Sequence, residues 1–123
     1  MTDLTGTALA AGLIGHMLGD WFAQTSSMAM KKETSWWWLS AHAAAAATVT
    51  FLALVLVLPD RPLAALGCAC FYGASHFAVD RRTPIRAFMR WNGWPEPLPF
   101  WGVLALDQAL HLTFVAAGAL LFY

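Results

Sequence analysis

The chain has 123 residues, of which 59% are hydrophobic and only 11% are charged, and its formal net charge is zero. Soluble domains carry roughly 25% charged residues, so this composition excludes an ordinary soluble domain of the same length. The zero net charge also argues against a nucleic-acid partner, because no overall field would recruit one.

Four apolar stretches are long enough to cross a hydrocarbon core, which takes about 20 helical residues. The alternating strands of about ten residues that are typical of a membrane β-barrel do not occur in the sequence. We therefore predict an all-α fold, an integral membrane four-helix bundle that forms a single transmembrane domain over residues 1–123. The predicted helices cover approximately residues 4–24, 36–58, 63–80 and 100–123.

Basic residues are concentrated in the first and third connections, and only Arg61 lies in the second. Because Lys and Arg in short loops favour the cytoplasmic side, this pattern predicts a multi-pass protein of the bacterial cytoplasmic (inner) membrane with both termini outside, N-out and C-out. All seven tryptophans lie near the same two connections, as is typical of an interfacial aromatic belt. The six basic residues are Lys31, Lys32, Arg81, Arg82, Arg86 and Arg90.

The third connection has helical periodicity of its own. Ile85 and Met89 recur at helical spacing, while Arg82, Arg86 and Arg90 repeat every four residues on another face. This pattern predicts a short amphipathic helix between helices 3 and 4, lying in the interface of the lipid bilayer with its arginines facing anionic headgroups. A solvated loop is the alternative.

Histidine and aspartate are paired at a spacing of four residues in three of the predicted helices, and a further histidine lies in the second. The pairs are His16 with Asp20, His76 with Asp80, and Asp107 with His111, and the further histidine is His42. This spacing places both members of a pair on one helical face. Counted from the predicted cytoplasmic ends, all seven residues fall in one layer, which predicts that they form one site.

Three buried aspartates need compensating positive charge, since one near the bilayer centre costs about 2.5–3.5 kcal/mol. No lysine or arginine lies within the predicted helical cores, so the charge would come from protonated histidines, bound protons or a metal cation. Imidazole and carboxylate suit a divalent metal, zinc first, with iron or manganese as alternatives, and the set could hold one ion or two. The metal-ligand candidates are His16, Asp20, His42, His76, Asp80, Asp107 and His111. One of Asp20, Asp80 and Asp107 could instead act as a general base in catalysis.

Small residues lie beside the predicted site at a spacing that favours close helix packing. Gly15 and Gly19 form a G-x-x-x-G element, and Ala105 with Ala109 gives a similar face on the fourth helix. The same faces could also pack protomers together into a homo-oligomer.

The combined motifs resemble the bacterial and phage domain-of-unknown-function family 3307 of small membrane proteins. The resemblance covers the chain from about His16 to His111 and implies that Gln24 and Gln108 join the functional positions, next to the metal-ligand candidates. That family carries no established activity. The motifs are His16-x-x-Gly19-Asp20-x-x-x-Gln24, His42, His76-x-x-x-Asp80 and Asp107-Gln108-x-x-His111.

Three classes of function remain open from the sequence. The first is a metal-dependent membrane hydrolase that acts on a lipid or lipid-linked substrate at the cytoplasmic leaflet. The second is a small ion, metal or proton transporter or channel, and the third is a phage holin-like or structural membrane protein. The sequence contains no H-E-x-x-H, no G-x-S-x-G and no phosphate-binding glycine loop, so no motif specifies a reaction.

Overall fold

The computed structural model describes residues 3–123, and over that range it contains helices and no strand. Because Pro62 occupies the first turn of α4 and Pro99 precedes α6, two of the helices begin where the missing proline N–H costs nothing. The α-helices are α1 (Leu4–Met17), α2 (Ser26–Lys31), α3 (Trp36–Val57), α4 (Pro62–Asp80), α5 (Thr83–Trp91) and α6 (Phe100–Phe122).

Three of these helices, α3, α4 and α6, are long and apolar enough to cross a membrane. Large apolar side chains lie on the outside of the molecule, where Leu56, Leu63 and Leu120 are 81%, 82% and 74% exposed. The interior is instead packed mainly with alanines and polar side chains. Such an arrangement suits a hydrocarbon surrounding rather than water, so a membrane location is plausible.

The four long helical segments pack in a closed cycle, α1 against α3, α3 against α4, α4 against α6 and α6 against α1. Glycine allows the closest of these approaches. A Cβ atom added at Gly15 would lie 2.7 Å from the Cα of Thr50, and one added at Gly19 would lie 2.8 Å from the Cα of Ala46. The G-x-x-x-G element of the sequence therefore forms the contact between the first helical segment and α3.

The structure adds two local features that the sequence did not predict. The first helical segment continues beyond α1 as a π-helix over Leu18–Phe22, so it ends two residues before the predicted end at residue 24. The short helix α2 follows, its first turn capped by the side chain of Thr25, which accepts a hydrogen bond from the Met28 amide. The π-helix ends just before the first basic connection, and α2 lies within that connection.

Helix α5 lies where the sequence predicts a short amphipathic helix. It is separated from α4 by a sharp turn at Arg82, which has a left-handed backbone conformation with φ 57°. This conformation is uncommon for a residue with a Cβ. The turn directs the Arg82 side chain back toward α6, where its guanidinium contacts Asp107.

Candidate metal centre

Four buried side chains from three helical segments meet at the end of the molecule where α2 and α5 lie. Asp20 comes from the π-helix, His42 from α3, and both His76 and Asp80 from α4. Asp20 is 5% exposed and the other three are fully buried. One donor atom of each lies within 4.8 Å of the donor atoms of the others, a grouping that could hold a metal ion.

Most donor atoms of this four-residue cluster lie within ordinary hydrogen-bond distance of one another. His42 Nε2 lies 2.8 Å from Asp80 Oδ2, 2.9 Å from His76 Nε2 and 3.1 Å from Asp20 Oδ1. His76 Nε2 lies 3.1 Å from Asp80 Oδ2 and 3.6 Å from Asp20 Oδ1. Yet neither oxygen of Asp80 accepts a hydrogen bond from any residue between 3 and 123. Because His42 Nε2 carries at most one proton, it cannot donate to all of its close neighbours, and the four donors group around a common point.

These separations match those of ligands around a small tetrahedral cation. Zinc binds imidazole nitrogen and carboxylate oxygen at about 2.0–2.1 Å, which places neighbouring ligand atoms about 3.3 Å apart in a tetrahedron. Five of the six separations here run from 2.8 to 3.6 Å, and all are within 4.8 Å. Two nitrogens and two oxygens suit zinc, and iron or manganese also binds such sets.

A second group, Asp80, Asp107 and His111, lies beside the four-residue cluster and shares Asp80 with it. His111 Nδ1 donates to the Asp107 carbonyl oxygen at 2.8 Å, so its Nε2 has a free lone pair, 3.6 Å from Asp80 Oδ1. Such a backbone hydrogen bond is common behind a metal-binding histidine. Within the described residues, His111 Nε2 and Asp107 Oδ1 are buried without hydrogen-bond partners. The shared carboxylate could therefore bridge two ions.

His16 belongs to neither group, although the sequence places it among the metal-ligand candidates. Its Nδ1 accepts a hydrogen bond from the Tyr72 hydroxyl, and its Nε2 donates to Gln108 Oε1 at 3.3 Å. Both ring nitrogens are therefore occupied. Gln108 in turn donates to Asp20 Oδ2 at 3.0 Å and to Asp107 Oδ2 at 3.3 Å. His16 thus acts through Gln108 on two carboxylates of the centre.

Lys32 corrects the expectation that the compensating charge comes from histidines, bound protons or a metal cation alone. The residue follows α2, outside the predicted helical cores, but its side chain is only 7% exposed. Its Nζ atom lies 3.0 Å from Asp80 Oδ1, 3.3 Å from His42 Nε2 and 3.7 Å from Asp20 Oδ1. Part of the compensating charge therefore comes from a connection that folds back onto the helices.

Arg82 supplies a second positive charge from outside the helical cores. Its Nη1 donates to Glu33 at 2.8 Å and its Nη2 to Asp107 at 3.5 Å. Burial alone would lower the pKa of Arg82, but the carboxylates of Asp107 and Glu33 outweigh that effect and raise it. The guanidinium therefore stays charged, and it joins the first connection to α6.

A cavity of about 270 Å³ adjoins both groups of donors. Asp20, Lys32, Arg82 and Asp107 supply charged side chains to its wall, and Gln108 lines it as well. Gln24, the other glutamine that the family resemblance implies, also lines this cavity, and its buried Oε1 has no hydrogen-bond partner in the described chain. The cavity gives a small polar molecule access to the centre.

Three residues that lie at the site in the structure are not among the site residues predicted from the sequence: Tyr72, Lys32 and Arg82. Tyr72 precedes His76 by four residues and so shares its helical face, a signal that could have identified it. Lys32 and Arg82 lie in the basic connections, where the sequence shows only their charge. Whether Arg82, Arg86 and Arg90 face anionic lipid headgroups stays a prediction.

The helices and this cluster define the class, a membrane-like helical protein with a buried histidine and aspartate centre that could bind a metal ion. Over residues 8–123 the chain matches the family described as "Protein of unknown function (DUF3307)", and it belongs to that family. The family resemblance of the sequence motifs is thereby confirmed. No curated protein and no solved structure gives a match.

Proposed function

We propose that the protein is a multi-pass membrane hydrolase that binds a divalent metal, zinc first, at Asp20, His42, His76 and Asp80. The observation that carries this proposal is the convergence of four buried donor atoms, of whose six separations five are 2.8–3.6 Å and all are within 4.8 Å. A bound metal would polarise the substrate and activate a water molecule. The substrate we propose is a lipid or lipid-linked molecule at the cytoplasmic leaflet.

The second group of donors supplies the proposed general base and the ligands of a second ion. Asp107 lines the cavity, and its buried Oδ1 has no hydrogen-bond partner within residues 3–123, so with one ion bound we propose it as the general base. With two ions bound, Asp107, Asp80 and His111 would hold the second. Gln108 and His16 would keep the carboxylates of Asp20 and Asp107 in place.

The architecture we propose for this activity is a transmembrane four-helix bundle in a bacterial or phage-encoded protein of the cytoplasmic membrane. The first helical segment supports this, since its 14 α-helical and 5 π-helical residues extend roughly 27 Å, close to the thickness of a hydrocarbon core. The basic connections support an orientation with both termini outside. The site then lies near the cytoplasmic surface.

Metal analysis of detergent-purified protein tests the proposal. We expect one or two divalent ions per chain by mass spectrometry and loss of at least the first in His76→Ala. His16→Gln is the matched control, because His16 is equally buried but has both ring nitrogens hydrogen-bonded, and it should retain the metal. Protein that holds no metal after reconstitution with zinc, iron or manganese would contradict the proposal.

A proton-conducting role is the second candidate, and one contact favours it. His42 Nε2 and His76 Nε2 are 2.9 Å apart, so the two rings could share a proton between buried carboxylates. Metal-free protein that carries protons across liposome membranes, and loses this flux in His76→Ala, would favour this role over hydrolysis.

A further inference from the structure

The cavity beside the metal centre contains two cationic side chains that the proposed metal chemistry does not use. Lys32 and Arg82 both line it, from the two basic connections that meet at this end of the molecule. Each is held in place by carboxylates, Lys32 by Asp80 at 3.0 Å and Arg82 by Glu33 at 2.8 Å. The two charges are therefore positioned before any ligand arrives.

The ion-paired side chains around the centre form a network, and its net charge changes sign when a metal binds. The carboxylates of Asp20, Asp80, Asp107 and Glu33 face three cations, Lys32, Arg82 and Arg86. With histidines neutral, as metal binding requires, the network has one negative charge in excess. One divalent ion converts this to one positive charge in excess. A loaded centre would therefore attract an anion to the adjoining cavity.

The size and rim of the cavity limit the form of that anion. Ligand pockets for drug-sized molecules span about 300–1,000 Å³, so about 270 Å³ suits a headgroup rather than a whole lipid. Trp21 and Phe100 also line the cavity and are 56% and 61% exposed. Aromatic side chains at this position are typical of the membrane interface, where the apolar part of a substrate would remain.

We propose, building on the proposed metal site, that this cavity binds the phosphate group of a phosphate ester, with Arg82 and Lys32 as its anion-binding side chains. A guanidinium and an ammonium beside a divalent cation form a recurring arrangement for phosphoryl groups. The ester is either a phospholipid headgroup or a water-soluble phosphate. Hydrolysis would consume one water: its oxygen bonds to phosphorus, the ester P–O bond breaks, and the leaving oxygen takes the proton that the water gives up.

Arg82→Gln tests the proposal, with Arg86→Gln as its matched control. Both arginines contact Glu33, at 2.8 and 2.6 Å, but only Arg82 lines the cavity. We expect zinc-loaded protein to bind inorganic phosphate in calorimetry, with at least about tenfold weaker binding in Arg82→Gln and little change in Arg86→Gln. Arg82→Lys should recover part of the affinity. Equal weakening in both glutamine variants, or no phosphate binding by loaded wild-type protein, would overturn the proposal.

Nanodiscs distinguish the two sources of the phosphate. Binding of phosphatidic acid over phosphatidylcholine, again weakened in Arg82→Gln, would identify a lipid headgroup, whereas binding of glycerol phosphate alone would identify a water-soluble ester. Metal content is measured first on every variant, so failure of the metal site is separate from failure of the phosphate site. Protein that takes up no metal on reconstitution but still binds phosphate through Arg82 would support the phosphate site and contradict the metal site.

Discussion

Asp80 is the residue on which the centre depends most. It is fully buried, it contacts His42, His76 and Lys32 through two different oxygens, and it belongs to both groups of donors. Buried charges are tolerated where they are paired, and removal of one partner leaves the other uncompensated. We therefore expect the pairing of Asp80 with Lys32 to affect stability separately from metal binding.

In metal-free protein, we expect Asp80→Asn to lower the free energy of unfolding by about 3 kcal/mol, because the buried ammonium of Lys32 loses its closest carboxylate. Lys32→Met should have a similar effect. The double variant should be more stable than the sum of the two single effects allows, as measured by denaturant unfolding in detergent with a chelator present. Strictly additive effects would show that the two charges do not interact.

The sequence predicts most residues of the site but not their partners. The spacing of four residues brings His76 into contact with Asp80, because both lie on the regular helix α4. The same spacing does not pair His16 with Asp20 directly, and Gln108 joins them instead. Lys32 and Arg82 could not be placed, since Lys32 follows a helix of only six residues and the left-handed backbone of Arg82 departs from the helical repeat of its connection.

Among the elements, the irregular ones position the site. The π-helix over Leu18–Phe22 contains Asp20, and π-helical turns often occur at functional sites because they redirect side chains. The capped helix α2 brings Lys32 over the cluster, and the left-handed turn at Arg82 returns a guanidinium to it. None of these features has a strong sequence signal, whereas α3, α4 and α6 follow from their apolar length alone.

The elements that contain Lys32 and Arg82 also determine the proposed orientation. If the first and third connections are cytoplasmic, alkaline phosphatase fused after Tyr123 should be active and green fluorescent protein at the same position should be dark. The matched control is a fusion after Trp94, between α5 and α6, for which the two reporters should give the opposite result. Fluorescence from the fusion after Tyr123 would contradict the orientation.

At the scale of the whole molecule, large apolar side chains cover the outside of the helices, and a layer of buried histidines and aspartates lies between them. A closed cycle of helix contacts surrounds the polar layer, and close packing at Gly15 and Gly19 brings the first helical segment near enough for Asp20 to reach His42. Composition alone predicts the apolar exterior. The relative placement of the helices depends on side-chain packing. The sequence therefore predicts that the four donors lie in one layer, but not that they meet.

X-ray absorption at the edge of the bound metal tests the central claim most directly. The account predicts four nitrogen or oxygen ligands at about 2.0–2.1 Å, with an imidazole contribution that decreases in His76→Ala and persists in His16→Gln. A sulfur ligand at about 2.3 Å, which would point to Cys68 or Cys70, would contradict it, and so would a spectrum unchanged in His76→Ala.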